Sequence, residues 1–306
     1  MPDIKADQSW LMGWIENPEE RDRITELQPF PAFGAAASQF GISGSGRGKR
    51  VELWKSVVKL NGSFNTRTQG DSDCVANGTA TAIDNTKAVE IDIKEELEEW
   101  TGETVSEDIY AGARNQVGGG RLRGKPGAYG GQAALYVKDY GTLVRGVYGK
   151  YDLSKYNVNT VRAWADRGVP AELLIVAREH KIKTISRISN YYEAVDSLAN
   201  GYSLSVCSNQ GFTTVRDKDG FCNPEGIWPH CLNACGYDDN EKRPGILICN
   251  SWGLYVQNKP RYQEPACMFY IDAEVFNKMC NQQGSECWSF SDYDGFPKKK
   301  LPLRLF

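Results

Sequence analysis

Apolar and polar positions along the 306 residues change rhythm once, near residue 150. Before that point the runs read as helices. Residues 10–27 place Trp10, Leu11, Trp14 and Ile15 on an amphipathic helix that Pro18 interrupts. Residues 75–84 are nearly all small, which predicts a buried helix packed closely on its neighbours, with Gly78 costing about 1 kcal/mol relative to Ala. Residues 90–100 are acidic and helical. Gly118 opens a long loop running to Gly130 and Gly131, and residues 132–140 form a further helix that Gly141 closes. Residues 192–199 give one more helix. After it the spacing turns to strands at 204–207, 230–237, 246–250 and 268–271. Helices first and strands later predict an α+β protein with a helical lobe and a sheet lobe.

The same pattern divides the chain. Residues 1–48 read as an N-terminal extension, ending in a Gly/Ser-rich stretch at 41–48 of flexible-linker composition. The helical lobe is expected over about 49–150 and the sheet lobe over about 151–288. Residues 289–306, rich in Pro and Lys, read as a C-terminal surface tail. Gly48 and Lys49 suggest a phosphate-binding loop, but Ser43 and Arg50 stand where that motif needs Gly and Ser or Thr. The apolar residues of the extension need a surface to cover, because so short a helix is marginal alone in water. They are expected to pack across or beside the cleft, or to hold a protein partner.

Composition narrows the field. Net charge is −3, with 41% hydrophobic and 25% charged residues, as in an ordinary soluble globule. Nothing global points to nucleic acid, and the basic runs at 47–50 and 298–300 are short. No apolar run approaches the roughly 18 residues of a membrane span, and no signal peptide is expected. Of nine cysteines, Cys74 stands alone in the first two-thirds of the chain. That distribution is unlike a disulfide-stapled domain and implies a reducing compartment, with most of the late cysteines acting as small buried apolar residues and a disulfide or two near Cys280 and Cys287 left open.

With two histidines, the choice of a catalytic base is binary. His180 lies in a charged segment, while His230 leads an apolar strand. A zinc site from Cys222, Cys231, Cys235 and His230 fails on strand alternation, which puts Cys231 and Cys235 on one face and His230 on the other; no metal and no cofactor are expected. Three segments then fall in order: Gln69 to Cys74 ahead of the small-residue helix, His230 on a strand ending in Gly236 and Tyr237, and Asn250, Ser251, Trp252 and Gly253 after an apolar strand. Over residues 50–288 this order resembles the papain-like cysteine peptidases, as a divergent intracellular, bacterial or phage-like member.

The resemblance implies a two-lobed fold, with the active-site cleft between a helical lobe and an antiparallel sheet. It implies a thiol peptidase (a hydrolase) acting on peptide or protein substrates through a Cys-His-Asn triad and an acyl-enzyme. Cys74 is then the nucleophile, activated at a helix N-terminus and by an imidazolium. His230 is the base, and Asn250 orients it beneath Trp252. Gln69, with the backbone N–H of Cys74, is the oxyanion donor. Gly130 and Gly131 line the substrate strand. Several positions depart from the family. The Gln–Cys step is five, Val75 replaces a Trp, Asp73 directly precedes the nucleophile, and the second Trp-Gly after Asn-Ser-Trp-Gly is missing. These departures keep open an alternative: a weak or inactive papain-like module for binding or assembly, including service as a phage-particle component. An acyl-transferring, transglutaminase-type relative ranks last, because such enzymes use Asp where Asn250 stands. A cytoplasmic or virion-associated location is expected on either main reading.

Overall fold

The computed structural model describes residues 11–94, 102–239 and 242–306. Trp10 and most of the acidic stretch at 90–100 lie outside these residues.

Helix α1 (Pro18–Glu26) opens the body, followed by α2 (Phe33–Gln39), strand β1 (Arg50–Glu52) and α3 (Trp54–Asn61). The long α4 (Cys74–Lys94), α5 (Ser106–Gly112, running on through a π-turn at Ala113–Val117) and α6 (Gly130–Asp139) come next. A small hairpin, β2 (Val147–Tyr148) and β3 (Tyr151–Asp152), precedes α7 (Val158–Ala165) and α8 (Ala171–Ala177). The remainder is β4 (Thr184–Arg187), α9 (Tyr191–Ala199), β5 (Leu204–Phe212), β6 (Pro224–Asp238), β7 (Gly245–Cys249), β8 (Met268–Asp272), α10 (Ala273–Asn281) and β9 (Glu286–Ser291).

The sheet has the order β4-β9-β5-β6-β7-β8, and β1 takes up the end of β6 beyond β5. Every pairing in it is antiparallel. Helix α4 lies across β6. Its small residues explain the fit: a Cβ on Gly78 would stand 2.9 Å from Cys231 Sγ and 3.2 Å from the Leu232 carbonyl. Glycine is therefore kept mid-helix despite its propensity cost, because no larger residue lets helix and strand approach.

Two cores flank this contact. One joins Val75, Ala80 and Ile83 of α4 to Ile109, Tyr136, Val161, Leu173 and Trp288. The other joins Phe33, Val195, Leu198 and Phe276 to the opposite face of the sheet. Helices α7 and α8 thus belong with the helical lobe, although they follow residue 150.

Three sequence expectations need correction. The predicted helix over 10–27 starts only at Pro18, with Asn17 Oδ1 accepting from Glu20 N at 3.0 Å as its cap. Proline at the first helical position suits a helix start, so Pro18 begins the helix that the spacing extended through it. The Gly/Ser stretch is an ordered turn: the Gly44 and Gly46 N–H groups donate to Asp196 at 2.7 and 2.9 Å. Gly41, Gly44 and Gly48 all have positive φ, so these glycines serve backbone conformation, which composition alone reads as flexibility. The C-terminal stretch is packed as well: Phe296 and Leu305 are fully buried, and Phe296 meets Phe33 edge-on at 4.9 Å. Deleting Phe33 or Phe296 would cost about 3–5 kcal/mol, so neither chain end is a detachable appendage as a whole.

Candidate active site

The fold brings the start of α4 against β6. Cys74, the first residue of α4, is fully buried, with Gly13 packed against the neighbouring Ser72 carbonyl. Burial pushes the thiol far above its ordinary range, and nearby Asp73 adds to the rise. His230 lies one residue before Cys231, in the middle of β6. The strand begins at Pro224, earlier than the pattern suggested, because its outer half is exposed and only the part from His230 onward is buried.

His230 Nε2 lies 2.8 Å from Asn250 Oδ1. That oxygen also accepts the Ser251 N–H at 2.7 Å, while Asn250 Nδ2 donates to the Tyr255 hydroxyl at 2.8 Å. The amide orientation is thereby fixed. Nε2 must carry the proton of the neutral ring, which leaves Nδ1 as the basic nitrogen. Nδ1 is buried and has no hydrogen-bond partner among the described residues. Trp252 covers the pair, its ring centroid 4.8 Å from that of His230. Burial pulls the imidazole down to about 4, against a smaller upward effect of the Asn250 bond.

Gln69 is anchored on both sides. Its N–H donates to the Ser251 carbonyl at 2.8 Å, and its Oε1 accepts the Ser251 hydroxyl at 2.5 Å. This turns Nε2 toward the start of α4, where it donates to the Leu11 carbonyl at 2.8 Å and to the Asp71 carbonyl at 2.8 Å.

Leu11 belongs to the segment that fills the cleft. Residues 11–15 run past the start of α4, with Leu11 in a 3₁₀ turn and Trp14 in a single bridge. Trp14 forms a parallel bridge with Ala128; Ala128 N donates to the Gly13 carbonyl at 2.8 Å and Ile15 N to the Ala128 carbonyl at 3.0 Å. On the opposite side Trp14 N donates to the Pro229 carbonyl at 3.1 Å, next to His230. A Cβ on Gly13 would run into the Ser72 carbonyl, so only glycine passes the start of α4 at this depth. The expectation that the extension packs across the cleft matches this geometry. Its route could not be read, because it depends on single backbone bonds.

The Trp14 side chain fills a pocket floored by Glu286. Its Nε1 donates to Glu286 Oε1 at 3.1 Å. Gly130 N donates to the same oxygen at 3.1 Å, and Gly131 N donates to Oε2 at 2.5 Å. Gly130 and Gly131 are the buried first residues of α6, their N–H groups spent on Glu286, and Ala128 is the residue whose N–H and C=O pair with the segment in the cleft. Residues the sequence reading missed are Ala128, Glu286, Tyr255 and Ser251. Of these, Ser251 stands in the Asn-Ser-Trp-Gly run without a role of its own, and the other three leave no signal in the sequence. The nine cysteines are free and buried, Cys74 with the rest.

No protein-family model and no curated protein matches the chain. Solved structures do. Xylellain, a cysteine protease from Xylella fastidiosa, matches with a TM-score of 0.53 at 18% identity, over 96% of this chain and 95% of that one. A procathepsin B from Trypanosoma congolense matches with a TM-score of 0.48 at 11% identity, over 96% and 85% of the two chains. A digestive procathepsin L 3 of Tenebrio molitor gives 0.48 at 12% identity, over 79% and 69%. The chain has the mixed helix and antiparallel-sheet fold of papain-like cysteine proteases. Among the described residues no helix is long and apolar enough to cross a membrane.

Proposed function

We propose that the chain is a thiol peptidase, held in a covered state by its own residues 11–15. The observation that carries this reading is the Leu11 carbonyl on Gln69 Nε2, at 2.8 Å. A peptide carbonyl already sits at the donor that an oxyanion would need. In the uncovered cleft the Cys74 proton passes to His230 Nδ1, and the thiolate attacks a substrate carbonyl carbon. The tetrahedral oxyanion is held by Gln69 Nε2 and the backbone N–H of Cys74. The imidazolium, oriented by Asn250, protonates the departing amine, and water then attacks the acyl-enzyme with His230 as base. Both groups are neutral in the covered state because burial disfavours both charges. Free buried thiols throughout the chain support a reducing location, whether cytoplasm or a particle interior.

The test is turnover of a peptide panel by the chain after the covering segment is cut free, with Cys74→Ser as control. Turnover that vanishes in the variant supports the proposal. No turnover from a folded, uncovered chain leaves the binding module as the better reading.

A further inference from the structure

Gln69 and Cys74 are five positions apart, and the loop between them must aim an amide and a sulfur at one carbonyl. Both ends of that loop are tied to a single phenol. The Gly70 N–H donates to Tyr156 Oη at 2.8 Å, and the Tyr156 hydroxyl donates to Asp73 Oδ2 at 3.0 Å. On the outer side, Arg162 Nε donates to Asp71 Oδ2 at 2.6 Å, and the Ser72 N–H donates to Asp71 Oδ1 at 2.7 Å. Asp73 is fully buried, and its Oδ1 has no hydrogen-bond partner among the described residues. A carboxyl directly before a nucleophilic cysteine works against the thiolate. Its position is intelligible if it serves as the inner anchor of the loop.

We propose that Tyr156 is a positioning residue for the peptide-hydrolysing reaction, its hydroxyl clamping Gly70 to Asp73 and so fixing the Gln69 amide against the Cys74 sulfur. The inference rests on the peptidase reading above. Without the phenol oxygen, Gly70 N–H and Asp73 lose their common partner, and the loop can shift by a fraction of an ångström at no cost to the core. A displacement of about 1 Å in such a site costs up to about 10² in rate. The loss falls on the chemical step, because Tyr156 acts through the loop that carries the donors to the developing oxyanion.

The groups facing Asp73 are Tyr156 ahead of α7, Glu107 and Tyr110 of α5, and Cys74 and Asn77 of α4, with Asp71 and Arg162 outside the loop. Burial pushes the Asp73 carboxyl up to about 7, and the Tyr156 hydroxyl, which stabilises the ionised form, draws it back in part. Removing that hydroxyl moves the Asp73 ionisation to higher pH.

The experiment uses the full chain with a site-specific protease sequence inserted after Glu16, folded intact and then cut. Opened wild type must turn over a fluorogenic peptide, and opened Cys74→Ser must not. If opened wild type is inert, the peptidase reading fails and takes this inference with it. Given turnover, Tyr156→Phe should lower kcat on the order of 10–10²-fold, with KM within about twofold. Asp73→Ala, which removes the acceptor of the phenol, should lose a similar factor, and the double variant no more than the worse single one. The inflection of the pH profile that Asp73→Ala abolishes should lie at higher pH in Tyr156→Phe. Normal kcat in Tyr156→Phe, or a loss shared by kcat and KM with the inflection unmoved, overturns the clamp and leaves the peptidase reading standing. If Tyr156→Phe does not fold, Asp73→Ala decides alone, because it removes the acceptor while keeping the phenol and its Gly70 bond: a normal kcat there overturns the proposal.

Discussion

Trp14→Ala should open the cleft without unfolding the protein. Trp14 is 3% exposed, its ring filling the Glu286 pocket and its Nε1 held at 3.1 Å. Truncating a buried tryptophan costs about 3–5 kcal/mol. Here most of that cost falls on docking of residues 11–15, since the pocket floor keeps its bonds from Gly130, Gly131 and Trp288. What remains of docking is the set of backbone bonds to Pro229, Ala128 and Gln69, each worth about 1 kcal/mol net. A loss of about 3 kcal/mol raises the open population roughly 10²-fold. When reclosing is fast, the rate at which iodoacetamide labels Cys74 follows that population, and peptide mapping assigns the label. The expected result is labelling of Cys74 about two orders of magnitude faster than in wild type, with the other eight cysteines still protected. An unchanged Cys74 rate in a folded variant would refute the docking argument. Simultaneous labelling of all nine would show that Trp14 supports the whole fold.

Gly13→Ala should open the same cleft by steric push alone, because its Cβ meets the Ser72 carbonyl; faster Cys74 labelling with an unchanged melting temperature checks this. Acid should loosen the cover. His230 is pulled down to about 4 from an ordinary 6.5, so its neutral burial contributes to closure above pH 6.5 and that contribution is lost as pH falls towards 4. Glu286, raised by burial, acts in the opposite sense, so the effect should be measured as Cys74 labelling, relative to a free thiol, in a Glu286→Gln background. In the opened chain Cys74→Ser and His230→Ala should abolish turnover, Asn250→Ala should be milder, and Gln69→Ala should cost about 10²–10³ in kcat. A peptide whose side chain reaches the Trp14 seat should be cleaved about tenfold better when that side chain carries an N–H donor, and Glu286→Leu should remove the preference.

Much of this architecture was legible because it is periodic. The small-residue run after Cys74 is the helix α4, and the apolar runs at 204–207, 246–250 and 268–271 are strands β5, β7 and β8 within a residue or a few. Order along the chain also sufficed to pair His230 with Asn250, since β6 and β7 are neighbours joined by a short connection. What escaped was short or amphiphilic in the wrong register. Strands β4 and β9 carry serines that pack inward, Ser197 Oγ lying 2.7 Å from Ser289 Oγ, so they lack an apolar signature. Gly130 and Gly131 were assigned to the substrate strand by analogy of position. Two glycines before a helix can line a cleft, release N–H groups to a buried acid, or do both, and the Glu286 that takes their N–H groups stands 155 residues beyond Gly131. Tyr156 gave no signal, because its role depends on where a loop and a helix start converge in space.

One physical cause links the covered state to the chemistry. The Cys74 thiol is raised and the His230 imidazole lowered mainly by burial, and neither shift needs a special partner. Residues 11–15 lie next to both groups: Gly13 packs on the Ser72 carbonyl near Cys74, and Trp14 N donates to the Pro229 carbonyl before His230. Withdrawing the segment therefore admits water to sulfur and imidazole together. Each ordinary value is then approached from opposite sides, and proton transfer from Cys74 to His230 Nδ1 becomes less uphill by the two displacements combined. A cover that blocked access without drying the pair would leave a reactive thiolate beneath it. This one removes the charge separation as well, so the silence of the covered form is electrostatic as much as steric. It follows that a small reagent able to slip past residues 11–15 should still find Cys74 unreactive until the segment has moved.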